Sequence, residues 1–138
     1  MSLQYLLDTN VVSEPLQMKP RRGVLRKLRL YNGEVAIASV TWHELQFGMR
    51  RLPPSFRRTQ VQSYIDQVVA MSMPVLDYDA AAAEWHAAER ARLTTKGLTP
   101  PFPDGQIAAI AFVNDLKLVT FNDADFKRFE GLEVISWR

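Results

Sequence analysis

The amino-acid sequence predicts an α/β domain in which helices cover both faces of a largely parallel β-sheet. Short apolar, β-prone runs alternate along the chain with longer stretches of helical periodicity, which is the pattern of βαβ units. The length of 138 residues suits one domain with a buried core. Hydrophobic residues make up 47% of the chain and charged residues 23%, as in ordinary globular proteins. We therefore expect a single domain over residues 1–138.

Five apolar runs predict the strands of this sheet, in chain order. Each run is short enough for a strand and is followed by polar or turn-forming residues. The runs are QYLL (4–7), VAIASV (35–40), MPVL (73–76), KLVTF (117–121) and EVISW (133–137).

Four intervening segments predict helices. Apolar residues recur at helical spacing within 41–52 and 56–71, and these amphipathic helices are candidate surfaces for a partner unless their apolar faces belong to the core. The Ala-rich segment 80–93 favours a helix with Asp79 as its N-cap. The segment 105–115 is apolar nearly all round, which predicts a buried helix.

Charge and composition exclude several classes of protein. The formal net charge is +2 and the pI about 9.1, so charge alone decides nothing about nucleic-acid binding. Cysteine is absent, which excludes disulfides and thiolate metal sites. No apolar run approaches the roughly 20 residues that span a bilayer, and no signal peptide opens the sequence. We expect a cytoplasmic protein that does not enter a membrane.

Acidic residues fall where the strands of a parallel sheet should end. Asp8 follows the first strand, Glu44 lies shortly after the second, and Asp104 opens the buried helix. Asn122, Asp123 and Asp125 follow KLVTF. Such acids are also common helix caps: Asp8, Thr9 or Asn10 could cap a helix beginning near Val11, and the segment from Thr41 to Glu44 fits a capping box. Capping does not require all of them at one edge of the sheet.

A divalent metal site does require several carboxylates at one edge. Mg²⁺ and Mn²⁺ prefer carboxylate and water oxygens, and a cation relieves the repulsion between neighbouring carboxylates. Short hydrogen-bonding side chains flank the acids and are suited to orienting them. These supporting candidates are Thr9, Asn10, Ser13, Ser39, Thr41, Thr120 and Asn122.

Four motifs in order resemble those of PIN-domain ribonucleases, and among them the VapC-type toxins of bacterial toxin–antitoxin pairs. The motifs are LLDTNVVSE (6–14), IASVTWHELQFGMRRLP (37–53), FPDGQIAAIA (102–111) and LVTFNDADF (118–126), and the closing GLEVISW is similar to the family's last strand. The resemblance covers nearly the whole chain. It implies a PIN-like α/β/α sandwich with a central, mainly parallel sheet of about five strands.

The same resemblance implies a metal-dependent endoribonuclease toxin that cleaves RNA phosphodiester bonds. Asp8, Glu44 and Asp104 are then the catalytic acids and the ligands of one or two Mg²⁺ or Mn²⁺ ions. Many relatives carry an acid where Asn122 stands; we favour Asp125 as an additional, water-mediated contact to the metal, with Asp123 a bystander or cap. The resemblance also implies a homodimer and a cognate antitoxin that neutralises the toxin, for which an inserted Arg or Lys would mimic the metal.

RNA binding needs positive charge and exposed aromatic rings near this acidic site. The candidates are Arg50, Arg51, Arg90, Arg92 and Phe102, whereas most other basic residues are expected on solvated helix faces. Trp42 and Trp85 are expected in the core. His43 points about 100° away from Glu44 on a helix, so we expect no catalytic role for it. His86 has no predicted role, and Glu14 is expected as a surface acid.

Two alternatives from other classes remain at this point. One is a PIN-like module that binds RNA or protein without cleavage, which the intact set Asp8, Glu44 and Asp104 disfavours. The other is a receiver-type phosphoacceptor domain. That class would carry an Asp on the middle strand, yet VAIASV (35–40) has none.

Overall fold

A parallel sheet of five strands forms the centre of the structure, a computed structural model that describes residues 2–138. The spatial order is β3-β2-β1-β4-β5, and all four neighbouring pairs are parallel. The predicted α/β/α sandwich with a parallel sheet is confirmed. The strands are β1 (Tyr5–Leu7), β2 (Val35–Ala38), β3 (Val75–Leu76), β4 (Lys117–Val119) and β5 (Val134–Ile135).

The observed strands are shorter than the apolar runs that predicted them. The run VAIASV, for example, ends as a strand at Ala38, and Ser39 already begins a helix. The reason lies in the partner: β3 is only two residues long and pairs Ile37 with Val75 and Ala38 with Leu76. Beyond that point no backbone partner extends the ladder, so the chain turns into the next helix.

The helices surround this sheet and include the four predicted segments. Glu14–Leu16 forms a 3₁₀ turn, and Ile65–Val69 is a π-helical stretch that joins α4 to α5, so the predicted helix 56–71 is one continuous element. The helices are α1 (Thr9–Val12), α2 (Arg22–Leu30), α3 (Ser39–Arg51), α4 (Phe56–Tyr64), α5 (Ala70–Ser72), α6 (Ala80–Thr95), α7 (Phe102–Val113) and α8 (Asp123–Phe126).

Sequence signals fix two of the helix starts. The Asp79 carboxylate accepts a hydrogen bond of 2.9 Å from the backbone N–H of Ala82, so the predicted N-cap of α6 is confirmed. Helix α7 begins at Phe102, three residues earlier than the apolar pattern suggested, because Pro103 suits a first helical turn where backbone N–H groups need no partner. Asp104 therefore lies inside the first turn of α7.

Two hydrophobic clusters pack on opposite faces of the sheet. Adjacent β1 residues divide between them: Leu6 packs with α6 and α7, and Leu7 packs with α2, α3 and α4. Both leucines are fully buried, as expected for a central strand covered on both sides. Trp42 and Trp85 each pack against one cluster, which confirms their expected place.

The apolar stripes of α3 and α4 belong to this core. Leu45 and Met49 of α3 and Val61 of α4 are buried in one cluster. The buried stripes therefore pack within the domain, whereas Phe56 and Val68 remain exposed on the 56–71 segment, so its use as a partner surface stays a prediction. Within residues 2–138, no helix has the length and apolarity to cross a membrane.

The strand order predicts a crevice beside β1. The chain extends the sheet from β1 to β2 and β3 on one side, and then returns to add β4 and β5 on the other. In parallel α/β sheets, such a reversal opens a crevice at the carboxyl ends of the strands. Here it lies beyond the ends of β1 and β4, where Asp8 and Thr120 follow the strands.

Candidate active site

Asp8 is the best-anchored acid of the site. It follows β1, caps α1, and is only 9% exposed. Its Oδ1 accepts a hydrogen bond of 2.8 Å from the backbone N–H of Thr9, and its Oδ2 accepts one of 2.8 Å from the Thr120 hydroxyl. Burial raises the pKa of Asp8, while these two hydrogen bonds oppose that rise. The residue therefore serves both as the predicted cap and as a carboxylate held rigidly at the sheet edge.

Hydroxyl groups behind Asp8 join α1 to α3. The Thr9 hydroxyl donates to the hydroxyl of the fully buried Thr41 at 3.2 Å, and the Ser13 hydroxyl donates to the Thr9 carbonyl at 2.7 Å. The predicted capping box from Thr41 to Glu44 is wrong. Helix α3 already begins at Ser39, so Thr41 lies inside the helix rather than at its cap.

The pKa of Asp104 responds to the negative charges of the other acids. Its pKa is raised to about 6, first by burial and then by the negative charges of Asp8, Asp125 and Glu44. These four residues come from four different parts of the chain. The structure therefore brings Asp8, Glu44 and Asp125 within electrostatic reach of Asp104.

Asp125 and Asn122 lie together at the end of β4. The Asn122 side chain donates a hydrogen bond of 3.0 Å to Oδ2 of Asp125, and its backbone N–H donates to the Thr120 hydroxyl at 3.0 Å. Asp125 also lies 3.7 Å from Arg128, and Asp123 lies 3.6 Å from Lys127. Because the charge of Asp125 raises the pKa of Asp104, Asp125 is the better candidate for the fourth acidic position.

An open groove of about 270 Å³ borders Glu44. Thr9, Ser13 and Gly48 also line it, and a Cβ atom added at Gly48 would meet no atom within 4 Å. Arg57 lines the same groove. From the sequence, Arg57 was only one of the basic residues expected on solvated helix faces, with nothing to link it to Glu44.

The RNA-binding candidates have different surroundings. Arg50 donates to Gln46 at 3.4 Å, and the Arg51 guanidinium lies 5.1 Å from the Phe47 ring, both near the far end of α3. The Arg90 guanidinium lies 5.4 Å from the ring of the half-exposed Phe102.

Arg92 is already engaged within the fold. Its guanidinium donates two hydrogen bonds to Glu89, of 2.9 and 2.8 Å, and another of 2.8 Å to the Arg128 carbonyl. These contacts connect α6 to the segment after α8, so Arg92 has a structural role.

Burial overturns the expectation for Glu14 and gives His86 a structural role. Glu14 is buried rather than exposed, and its carboxylate accepts a hydrogen bond of 2.9 Å from the backbone N–H of Arg21. His86 is also buried, with its Nδ1 2.8 Å from the Tyr78 hydroxyl. His43 is exposed and stacks on Phe47, which agrees with its expected absence from the site.

The residues present suit a hard divalent cation. Within residues 2–138, no three acidic or histidine side chains form a ready-made ligand set. The four neighbouring acids nevertheless supply the oxygen ligands that Mg²⁺ and Mn²⁺ prefer. The negative charges that raise the pKa of Asp104 are of the kind that a bound cation neutralises.

Comparison with known proteins identifies the family. The sequence profile described as PIN domain matches residues 5–132. This chain belongs to the PIN-domain family. A relative from Shigella flexneri, named tRNA(fMet)-specific endonuclease VapC, is 34% identical over 137 residues. The alignment covers 98% of this chain and 98% of the relative. The receiver-type alternative is therefore wrong.

Solved structures share the fold of this PIN domain. DNA-bound VapBC from Salmonella typhimurium matches with a TM-score of 0.86 and 29% identity, covering 99% of each chain. A member of the VapBC family of toxin–antitoxin systems from Mycobacterium tuberculosis matches with a TM-score of 0.68 and 27% identity, covering 98% of this chain and 96% of that one.

Proposed function

We propose that this PIN domain is a metal-dependent endoribonuclease toxin that is neutralised by a cognate antitoxin. The observation that carries the proposal is the placement of Asp8, Glu44 and Asp125 around Asp104, each on a different helix or strand end, with the pKa of Asp104 raised to about 6. A carboxylate cluster at the crevice of a parallel sheet has the chemistry to hold Mg²⁺ or Mn²⁺.

The similar proteins support RNA as the substrate and an antitoxin as the partner. The Shigella relative is named for endonuclease action on a tRNA, and it aligns with nearly the whole of this chain. The Mycobacterium structure comes from a family of toxin–antitoxin systems. We therefore propose cytoplasmic RNA as the substrate, without assigning a particular RNA.

Each acid has a distinct proposed role. Asp8 and Asp104 would hold one or two divalent cations, with Asp125 contacting them through water. A bound cation supplies Lewis-acid stabilisation of the charge that develops on the scissile phosphate. Glu44 lies beside the open groove, where it would ligate the cation or accept the proton of the attacking water. Thr9, Asn10, Ser39, Thr120 and Asn122 would orient the acids.

Basic and aromatic residues outside the set of four acids would bind the RNA chain. Arg90 and Phe102 form a cation–π pair on a groove between α6 and the start of α7, where a base can stack. Arg50 and Arg51 would attract the phosphate backbone from the end of α3. We do not assign Arg92 to RNA, because its guanidinium is bound to Glu89.

The antitoxin is proposed to insert an Arg or Lys among the carboxylates. Such a cation would satisfy the same acids that would otherwise hold the metal. We also propose a homodimer, for which the exposed rings of Phe47 and Phe56 are candidate contacts. Copurification with a small protein encoded beside this gene, followed by light scattering, tests both proposals.

Cleavage of RNA in Mg²⁺ or Mn²⁺ tests the function. The wild type should cut RNA internally and stop cutting when EDTA is added. Asp8→Asn, Glu44→Gln and Asp104→Asn should each lose most of this activity. Asp66→Asn is the matched control, because Asp66 is an exposed acid on the π-helical stretch. This variant should cleave RNA as the wild type does.

The outcomes separate the remaining alternatives. If the three variants cut as well as wild type, the site assignment is wrong. RNA binding without any turnover in either metal would instead favour a PIN-like binding module. Mapping RNA 5′ ends after induced expression would then identify the RNA that is cut.

A further inference from the structure

Two arginine side chains lie against the ring of Phe121, shortly after the end of β4. Phe121 follows Thr120, whose hydroxyl binds the Asp8 carboxylate. The Arg21 guanidinium lies 4.3 Å from the centroid of the Phe121 ring, and the Arg138 guanidinium lies 5.4 Å from it. These residues come from three distant parts of the chain, so nothing in the sequence places them together.

The fold holds both guanidinium groups in place. A cation over an aromatic ring gains electrostatic attraction from the ring face. The backbone N–H of Arg21 donates to Glu14, and its guanidinium lies 3.7 Å from the same carboxylate. Arg138 also donates a side-chain hydrogen bond to the Phe121 carbonyl. Both arginines are therefore positioned before any ligand arrives.

The two arginines keep a net positive charge and remain accessible. Arg21 lines an open groove together with Lys19, which adds another positive charge. The buried Glu14 carboxylate can balance the charge of only one of these side chains. The Arg21 side chain is 48% exposed. The groove has a volume of about 670 Å³, room for a phosphate and its sugar.

The groove shares α1 with the acidic site. Asn10 lies two residues after Asp8 and lines the groove together with Lys19, Arg21 and Phe121. Lys19 and Arg21 therefore line a groove that starts at α1, the helix that Asp8 caps.

We infer that Arg21 and Arg138, held by Phe121, bind a backbone phosphate of the RNA next to the one that is cut. This inference rests on the proposed function. Carboxylates repel RNA, so the substrate needs fixed positive charge beside them to enter the site. Guanidinium groups suit this role because their planar donors match phosphate oxygens in pairs.

The test measures RNA affinity as a function of salt concentration, separately from cleavage. All variants are made in the Asp104→Asn background and kept in EDTA, so that the RNA is not cleaved. Fluorescence anisotropy of a short fluorescein-labelled single-stranded RNA of mixed sequence then gives Kd over a series of NaCl concentrations. We expect Arg21→Ala and Arg138→Ala each to reduce the slope of log Kd against log salt by about 0.7, the value for one lost phosphate contact on a single strand. Phe121→Leu should weaken binding with little change in slope, because both charges remain.

Arg26→Ala is the matched control, since Arg26 is an exposed arginine on α2. It should keep the starting slope. Thermal melting checks that each variant folds. Arg21→Lys is a second variant in case Arg21→Ala proves unstable. It retains the positive charge and should therefore retain the salt slope.

Two results would overturn the inference. One is an unchanged salt slope in the Arg21→Ala, Arg138→Ala double variant. The other is weaker binding of the copurified antitoxin with unchanged binding of RNA, which would make the groove a protein contact. A wild-type protein that does not cleave RNA would count against the proposed function, whereas intact cleavage with an unchanged slope counts only against this phosphate site.

Discussion

The Thr120 hydroxyl donates a hydrogen bond of 2.8 Å to Oδ2 of Asp8, although 112 positions separate the two residues. The contact connects the end of β4 to the end of β1. Asp8 is otherwise nearly buried, and its burial favours the neutral carboxylic acid. The hydroxyl therefore helps keep the carboxylate both charged and correctly oriented.

Replacing Thr120 by Val should reduce RNA cleavage about tenfold or more, the usual cost of losing a group that orients a metal ligand. Without the hydroxyl, the pKa of Asp8 should rise further. The acidic limb of the kcat/KM profile against pH should then move to higher pH. Thr120→Ser keeps the hydroxyl and should keep the limb in place. An unmoved limb in Thr120→Val would show that this hydrogen bond does not tune Asp8.

Asp104→Asn should stabilise the protein at neutral pH in the absence of divalent ions. The folded-state pKa of Asp104 is raised from 3.8 to about 6. Folding therefore disfavours the ionised form, and stability falls as the pH rises from about 4 through 6. We expect a gain of about 1 kcal/mol above pH 6, less than the full shift implies because solvent screens a half-exposed carboxylate.

Thermal melting of wild type and Asp104→Asn, at one pH below 3.8 and another above 6, measures this gain. The two proteins should melt together in acid and separate at the higher pH. Mn²⁺ should stabilise the wild type more than the variant. Equal melting temperatures at the higher pH would contradict the crowding of charges at Asp104.

Asp125→Asn should weaken Mn²⁺ binding, and Asp123→Asn should not. The charge of Asp125 reaches Asp104, and Asn122 holds its carboxylate at 3.0 Å. We expect Kd to rise about tenfold for Asp125→Asn, as for other groups that support a metal site. Calorimetric titration measures both constants. The opposite ranking would assign the fourth acidic position to Asp123.

Gly105→Ala should reduce both stability and cleavage. A Cβ atom at residue 105 would lie 2.0 Å from Nε2 of His86, so α7 or the imidazole ring must move. Overpacking of this kind costs about 1–3 kcal/mol. Because Asp104 is the neighbouring residue in the first turn of α7, its carboxylate should move as well.

The double variant Gly105→Ala, His86→Ala tests that explanation. Removing the ring makes room for the new methyl group, at the loss of the Tyr78 contact. Cleavage by the double variant should exceed that of Gly105→Ala alone, with His86→Ala as the matched single variant. Purely additive losses would show that the two residues do not compete for the same space.

Much of the site could be predicted because strand ends are visible in the sequence. Positions after apolar runs and at the start of the buried helix identified Asp8, Glu44 and Asp104, and the resemblance gave them catalytic roles. The start of α3 was missed because it depends on how far β3 extends the ladder beside β2. The burial of Glu14 was missed because its partner is a backbone N–H at Arg21.

The sequence by itself determined the alternation of strands and helices and which acids follow the strands, because side-chain periodicity and turn residues are local properties of the chain. Tertiary structure decided which of those acids meet, which arginines surround Phe121, and where Thr120 donates its hydrogen bond. Those relationships join residues far apart in sequence. They arise only when β4 pairs with β1 and brings the ends of both strands to one crevice.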